Sequence, residues 1–200
     1  PAYAPKGVVM LGAAINDEAR VQIAAYQRQL GLTFPVGLTR KEFAFDYLQA
    51  GARCLTTNTF AANATHLSSM GEPGRVAQVN RAAARLAREA IAEYCGQSRV
   101  RESCFVLGSL GPTLTGAESS AQIQAIYREP VEALLAEGVD ALLLETFSSL
   151  PHVAALLELV CSLAAPLPLV VQMTLRQAGP AGAWDQDPVA FVRTAAKLGA

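Results

Sequence analysis

Short apolar runs alternate along the chain with longer stretches in which apolar residues recur at helical spacing. The apolar runs predict strands at Val8–Leu11, Cys54–Thr59, Cys104–Leu107, Ala141–Leu144 and Leu167–Leu175. The intervening stretches predict helices at Asp17–Leu30, Thr39–Ala50, Asn63–Ser69, Arg75–Tyr94, Ala121–Ala136, Val153–Leu163 and Pro188–Leu198. Strands and helices that alternate at this spacing are typical of βαβ units and of a parallel sheet.

Cap and turn residues agree with these boundaries. Thr39 and Glu42 form a capping-box pattern at the start of one helix, and Gly51 follows its end. The segment Phe34–Leu38 contains a proline and a glycine, and we predict a loop there.

Two parallel architectures compete for this pattern. A doubly wound sheet that binds a dinucleotide should carry G-x-G-x-x-G after its first strand, whereas Gly12–Ala13–Ala14–Ile15 stands at that place. A β/α barrel instead gathers its functional residues at the carboxyl ends of its strands. Polar residues follow the predicted strands here, at Thr56–Thr59, Ser109, Glu145–Thr146, Gln172 and Thr174.

We therefore predict an α/β fold, a parallel (β/α)8 barrel of the TIM type, in one domain over residues 1–200. The sequence supplies about five βα units where a closed barrel needs about eight. An open arc of strands would leave two sheet edges and much apolar surface exposed. We expect further chain in the natural protein, or a second copy in a homo-oligomer, to complete the sheet.

Composition and charge narrow the classes of partner. The chain is 52% hydrophobic and 16% charged, with a formal net charge of -1, which gives no broad attraction to nucleic acid or to an anionic membrane. The longest apolar runs are too short to span a bilayer, and no signal peptide is visible. Four cysteines lie far apart without C-x-x-C spacing, which favours reduced thiols in a cytoplasmic protein: Cys54, Cys95, Cys104 and Cys161.

Glu145 is the sharpest candidate for a functional residue. It directly follows the apolar run Ala141–Leu144, so we expect it at the mouth of a strand. A carboxylate there is costly to bury without a partner, and it could bind a ligand's ammonium group through a charge-assisted hydrogen bond. The alternative is a structural carboxylate, paired with a neighbouring arginine or with backbone N–H groups.

Three further segments could contribute to a pocket. The hydroxyl and amide groups of Thr56–Thr59 could hold a small polar ligand such as an amino-acid carboxylate, or they could cap the next helix. The loop Gly108–Pro112 could bring backbone close to a ligand, or it could be a plain tight turn. Gln172 and Thr174 share one face of their strand, which could point into the mouth of the barrel.

These motifs together resemble the homocysteine S-methyltransferase family, also called the homocysteine-binding domain. They occur in the family's order and at family-like spacing from about Thr39 to Ala200. The matching segments are Tyr47–Ala52, Thr56–Phe60, Val79–Ala83, Gly108–Pro112, Glu137–Phe147 and Val171–Thr174.

The resemblance implies transfer of a methyl group to the thiolate of homocysteine, which gives methionine. It implies that Glu145 holds the ammonium group of homocysteine, that Thr57 lies near the amino acid, and that the loop at Gly12–Ala13 closes over the substrate. In the family, zinc binds the homocysteine thiol and lowers its pKa. The expected substrate-binding residues are Glu145, Thr57, Asn58, Gly12, Ala13, Ser109 and Gln172.

The sequence departs from the family pattern in two places. The first strand of the family ends in Asp–Gly–Ala/Gly, whereas Leu11–Ala14 contains no aspartate. The family's zinc-binding cysteines would lie beyond Ala200, so we expect no metal ligands in this chain and no competent enzyme from it alone.

Two other functions are weighed against the methyltransferase. One is a non-catalytic or degenerate barrel relative that binds an amino acid or a partner protein. The other is an unrelated barrel lyase or aldolase, which the absence of a lysine at a strand end disfavours because a Schiff base needs one.

Overall fold

The computed structural model describes residues 12–14, 36–38, 41–97, 103–163, 167–176 and 185–200. The strands within these ranges are β1 (Gly12–Ala14), β2 (Val36–Leu38), β3 (Cys54–Thr56), β4 (Phe105–Leu110), β5 (Ala141–Phe147) and β6 (Leu169–Met173). The helices are α1 (Lys41–Gln49), α2 (Ala64–Ser69), α3 (Val76–Gln97), α4 (Ser120–Ala136), α5 (Leu150–Leu163) and α6 (Pro188–Lys197).

The main sheet is parallel and has the order β3-β4-β5-β6. Its register pairs Cys54 with Phe105, Leu107 with Ala141, and Leu142 with Leu169. Each consecutive strand lies beside the previous one, and a helix precedes each new strand, as in successive βαβ units. The predicted α/β class with a parallel sheet is confirmed.

The prediction of a loop at Phe34–Leu38 is wrong for its last three residues. Val36–Leu38 forms strand β2, which pairs in parallel with β1 in a separate two-stranded sheet. A glycine weakens a strand without forbidding it, and the apolar residues on either side of Gly37 suit a pleated strand. The strand predicted at Val8–Leu11 and the helix predicted at Asp17–Leu30 lie outside the described residues.

Helices cover one face of the main sheet. Val106, Leu142 and Leu144 alternate along their strands with residues of the other face, and all three are fully buried. Burial of each such side chain stabilises the fold by about 1.5–3 kcal/mol. Helix α4 supplies a matching stripe at helical spacing, formed by Ile123, Tyr127, Val131 and Leu134.

The other face of the sheet is less covered in the described part of the chain. Phe105 is 44% exposed and Val170 is 40% exposed, although both are large apolar side chains. In a β/α barrel this face points inward. The residues that share it toward the carboxyl ends of β4 and β5 are Ser109 and Glu145.

Hydrogen bonds and an ion pair of Asp140 and Arg88 fix the amino-terminal edge of the sheet. Oδ2 of Asp140 accepts a hydrogen bond from the backbone N–H of Val106 at 2.6 Å and pairs with Nη1 of Arg88 at 2.9 Å. A second guanidinium nitrogen of Arg88 donates to the carbonyl of Gly138. Arg88 and Asp140 thus join α3 to the starts of β4 and β5, and they help to set the register of both strands.

Two glycines allow close packing around β4. A Cβ at Gly108 would lie 3.0 Å from the side chains of Leu134 and Leu142, so glycine lets α4 approach the sheet. A Cβ at Gly111 would lie 2.5 Å from Cδ2 and 2.6 Å from the carbonyl oxygen of Phe60. The N–H of Gly111 donates to that carbonyl at 3.0 Å, which ties together the segments that follow β3 and β4.

Candidate functional site

Polar residues from three neighbouring strands meet at the carboxyl-terminal edge of the main sheet. Thr57 follows β3, Ser109 lies near the end of β4, and Glu145 lies near the end of β5. Oγ of Ser109 donates a hydrogen bond to Oε1 of Glu145 at 2.5 Å. A bond this short is typical of a hydroxyl that donates to an ionised carboxylate.

A ring of hydrogen bonds anchors Ser109 to the segment after β3. Oγ1 of Thr59 donates to the carbonyl oxygen of Ser109 at 2.7 Å, because a carbonyl can only accept. The proton of Thr59 is thus committed, so in its 2.7 Å contact with Oγ1 of Thr57 the donor is Thr57. The N–H of Ser109 donates in turn to Oγ1 of Thr57 at 3.0 Å, which closes the ring.

These threonines do not cap helix α2. Asn63 does so, since its Oδ1 accepts hydrogen bonds from the N–H groups of Thr65 and His66. Nδ2 of Asn63 donates to the carbonyl of Pro112 at 3.2 Å, which joins the cap to the loop after β4. Thr57 and Thr59 are both buried at the end of β3.

Glu145 lies in an irregularity of strand β5. Leu144 pairs with Val171 but Phe147 pairs with Met173, so two residues of β5 oppose one residue of β6. Bulges of this kind re-aim side chains and are common beside functional sites. Within the bulge, Thr146 has a φ of 68°, the left-handed region that a β-branched residue rarely adopts.

The loop after β4 has its own polar network. Thr113 and Thr115 donate to the two carboxylate oxygens of Glu118 at 2.7 Å and 2.6 Å. Partial burial acts to raise the pKa of Glu118, but the hydrogen bonds from Thr115 and Thr113 and the nearby His152 together hold that pKa below its ordinary value. Nε2 of His152 donates to the carbonyl of Glu118 at 2.9 Å.

Tyr127 supports the same loop from helix α4. Its hydroxyl donates to the carbonyl of Gly111 at 2.5 Å. Burial, together with the negative charge of Glu118, raises the pKa of the Tyr127 hydroxyl well above its ordinary value. The hydroxyl therefore stays protonated and remains a donor over the whole physiological pH range.

The other predicted site residues are less closely joined to Glu145. Asn58 and Gln172 are exposed, and Gln172 lies on β6 beside the bulge of β5. Gly12 and Ala13 lie in β1, which pairs with β2 and not with the sheet that carries Glu145. Of the predicted residues, the structure brings Thr57, Ser109 and Glu145 into one hydrogen-bonded network.

Thr59 and Thr146 lie in polar segments that the sequence pointed to, but neither was among the seven expected substrate-binding residues. Thr59 has the same residue type as its neighbours, so only the hydrogen-bond ring distinguishes it. Thr146 is distinguished by its φ, which depends on the pairing of β5 with β6.

Metal-binding residues do not cluster in the described ranges. No group of three or more His, Cys, Asp or Glu side chains there could hold a metal ion. Cys54, Cys95 and Cys161 are exposed and Cys104 is half-buried. The donors present in these ranges therefore do not fit the zinc site that the sequence resemblance implies.

Within the described ranges, every helix is either too short or too polar to span a membrane.

Solved structures with this fold include MmuM, the homocysteine methyltransferase of Escherichia coli. Its metallated form superposes with a TM-score of 0.69 at 22% identity, covering 98% of this chain and 73% of MmuM. The oxidized form gives a TM-score of 0.67 at 22% identity, covering 94% of this chain and 70% of MmuM. The chain thus has the fold of part of a TIM-type barrel.

Curated relatives agree with this assignment. Homocysteine S-methyltransferase from Escherichia coli K12 is 32% identical over 133 residues, which are 60% of this chain and 43% of that protein. Methionine synthase from Mycobacterium tuberculosis is 32% identical over 114 residues, 55% of this chain and 9% of that protein. The chain thus spans less than half the length of either relative.

The family model gives the broadest match along the chain. The model described as homocysteine S-methyltransferase matches residues 39–200, well over half of the sequence. The matched range contains the hydrogen-bonded network of Thr57, Thr59, Ser109 and Glu145. The chain belongs to the homocysteine S-methyltransferase family.

Proposed function

We propose that the protein to which this chain belongs transfers a methyl group to the thiolate of homocysteine, with Glu145 binding the ammonium group of the substrate. One observation carries the assignment of Glu145: its carboxylate is half-buried at the carboxyl-terminal edge of the sheet and is held there by Ser109. Functional residues of β/α barrels lie at this edge. Family membership supplies the substrate class.

The chemistry of the pair fits an ammonium ligand. The hydroxyl of Ser109 engages Oε1 of Glu145, and among the described residues no side chain pairs with this carboxylate as a cation. An ammonium group would provide the missing positive charge through a charge-assisted hydrogen bond. Partial burial strengthens such a bond because fewer water molecules compete for the carboxylate.

The residues of this chain bind and orient the substrate. A zinc ion is expected for the family, and MmuM has been crystallised in a metallated form. Such an ion would polarise the substrate thiol and lower its pKa. Because the donors in the described ranges do not form a zinc site, we assign no step to a metal and no catalytic residue to this chain.

A non-catalytic amino-acid-binding relative is the second candidate. The observation that favours it is the stretch Gly12–Ala13–Ala14, which lies in β1 and carries no carboxylate where the family has an aspartate. The methyltransferase predicts that homocysteine binds at Glu145, whereas the non-catalytic relative predicts only that an amino acid or a partner protein binds. An assay for methionine formation separates them, because only the methyltransferase forms product.

We also propose that the protein is cytoplasmic and acts on a small amino acid. Three exposed thiols that form no disulfide within the described ranges support a reducing compartment: Cys54, Cys95 and Cys161. Fractionation of the native cells that places the protein in a secreted or membrane fraction would contradict this assignment.

Calorimetry with homocysteine tests the role of Glu145. We expect Glu145→Gln to weaken binding roughly ten- to a hundredfold, because the variant loses a charge-assisted hydrogen bond of about 1.5–3 kcal/mol. Glu132→Gln is the matched control, since Glu132 is an exposed residue that pairs with Arg128 on α4. Equal affinity of Glu145→Gln and the unmodified chain would remove the assignment.

A further inference from the structure

We propose that Thr59 is a positioning residue for Glu145 and acts through Ser109. The inference rests on the proposed role of Glu145 as the group that binds the substrate ammonium. Thr59 does not touch the carboxylate; it holds the residue that does.

Strand β3 ends before its neighbour β4 does. The ladder between these strands pairs Thr56 with Leu107, and its last backbone bond runs from the N–H of Thr57 to the carbonyl of Leu107 at 2.9 Å. Beyond that point β3 has ended, while β4 continues through Ser109 to Leu110. The peptide groups of Ser109 that face β3 therefore have no strand to pair with.

Side chains, and not a neighbouring strand, satisfy the peptide groups of Ser109 that face β3. Ser109 is only 1% exposed, so water cannot easily replace a lost partner. The hydroxyl of Thr57 accepts a hydrogen bond from the N–H of Ser109, and the hydroxyl of Thr59 donates one to the carbonyl of Ser109. Two side-chain hydroxyls thus continue the ladder after the strand itself has ended.

The hydroxyl protons of Thr57 and Thr59 are both used within the ring. The single proton of Thr59 goes to Ser109, and the single proton of Thr57 goes to Thr59. Neither threonine keeps a hydroxyl proton to donate to a ligand. As donors, both threonines can therefore act on a ligand only through Ser109. Toward a ligand itself, their hydroxyl oxygens can only accept a hydrogen bond.

Ser109 connects the hydrogen-bond ring to the carboxylate of Glu145. With its N–H and carbonyl both fixed, Ser109 has its Cβ direction set, and its Oγ lies 2.5 Å from Oε1 of Glu145. Removal of the Thr59 hydroxyl frees the carbonyl of Ser109 and releases the proton of Thr57. Ser109 can then rotate away, and the carboxylate loses the donor that fixes its orientation.

The experiment measures two ligands by calorimetry on the full chain: homocysteine, and 4-sulfanylbutanoate, which lacks the amino group. We expect Thr59→Val to weaken homocysteine binding about tenfold and to leave the affinity for 4-sulfanylbutanoate within about twofold. Thr59→Ser keeps the hydroxyl and should restore homocysteine binding. Equal losses for both ligands would show a merely structural role, and no loss for homocysteine would show no role; either result overturns the proposal.

A ligand-free readout separates this proposal from the proposed function. We expect the NMR resonance of the Glu145 carboxyl carbon to shift in Thr59→Val and to stay in place in Thr59→Ser. If the unmodified chain binds no homocysteine, the proposed function fails, while this resonance still decides whether Thr59 positions Glu145. An unmoved resonance in Thr59→Val overturns the positioning role.

A second variant guards against loss of the fold. If circular dichroism shows that Thr59→Val does not fold, Thr59→Ala removes the same hydroxyl with a smaller side chain and again deletes the bond from Thr59 to the carbonyl of Ser109. The same resonance is expected to shift in Thr59→Ala, and a folded Thr59→Ala with an unmoved resonance overturns the proposal.

Discussion

Individual residues at the sheet edge combine strain with satisfied polar groups. Thr146 adopts a left-handed backbone beside Glu145, which is unfavourable by about 1–3 kcal/mol for such a residue. The buried hydroxyls of Thr57 and Thr59 are all hydrogen-bonded, which stabilises the same edge. The strained backbone of Thr146 thus lies next to the carboxylate of Glu145, and the neighbouring hydrogen bonds stabilise this edge of the sheet.

Relief of the strain at Thr146 should stabilise the chain. We expect Thr146→Gly to raise the free energy of unfolding by about 1 kcal/mol, since glycine adopts positive φ freely and this gain exceeds its greater entropy loss. Thr56→Gly is the matched control in a regular strand, where the same change should lower stability by up to about 1 kcal/mol. Urea denaturation measures both, and a destabilised Thr146→Gly would contradict the assignment of strain.

Glu118 should make stability depend on acid pH. Its folded pKa lies below the unfolded value of about 4.3, so the stability it contributes is fully present above pH ~4.3 and is lost as pH falls through the folded pKa. Glu118→Gln should therefore show a smaller drop in urea midpoint between pH ~6 and pH ~3 than the unmodified chain. An identical drop in both proteins would show that Glu118 does not contribute.

Elements of the fold meet at this edge through contacts to Gly111, where a larger residue would not fit. The segment after β3 and the loop after β4 touch at Phe60 and Gly111, and helix α4 reaches the same loop through the hydroxyl of Tyr127. These contacts hold the ends of β3 and β4 at a fixed separation. The hydrogen-bond ring around Ser109 depends on that separation.

A methyl group at Gly111 should disrupt this junction. Gly111→Ala would place Cβ against both the ring and the carbonyl of Phe60, and we expect the free energy of unfolding to fall by about 1–3 kcal/mol. Gly96→Ala is the control, because Gly96 lies in α3 with open space around it and alanine favours helix by up to about 1 kcal/mol. Thermal unfolding measures the stability of both variants. Equal stabilities of Gly111→Ala and Gly96→Ala would contradict close packing at this junction.

The order and type of the elements could be predicted from the sequence because each depends on local patterns. The helices α3, α4 and α5 were expected from apolar periodicity, and β4 and β5 from apolar runs, although both strands extend further than predicted. The placement of Glu145 at a strand end followed from the same pattern. Val36–Leu38 was missed because Pro35 and Gly37 were given more weight than the apolar residues on either side of Gly37.

The details of the site could not be predicted, because they depend on pairing between distant segments. The bulge at Glu145 arises from the register of β5 against β6, and no local signal marks it. The role of Thr59 depends on where β3 ends relative to Ser109, some fifty positions later in the chain. A row of threonines predicts hydrogen-bonding capacity, but not which hydroxyl bonds to which peptide group.

At the scale of the molecule, the described residues expose part of a sheet face that a complete barrel would enclose. Phe105 and Val170 lie on that face and are large apolar side chains in contact with solvent. The chain covers 73% of the MmuM barrel in its metallated form, so part of that barrel has no counterpart here. Exposed apolar faces of this kind favour association.

We therefore expect the isolated chain to self-associate. Sedimentation should give a mass above the 21.1 kDa of one chain, and Val170→Lys should shift the distribution toward monomer by placing a charge on the exposed face. A monomer at all accessible concentrations would show that the described face is covered in some other way.

A crystal structure of the chain soaked with homocysteine is the most direct test of the site. The proposed function places the ammonium nitrogen within about 2.7–3.0 Å of a carboxylate oxygen of Glu145, with Ser109 still bonded to the same carboxylate. Homocysteine bound elsewhere in the barrel, with its amino group away from Glu145, would contradict the assignment.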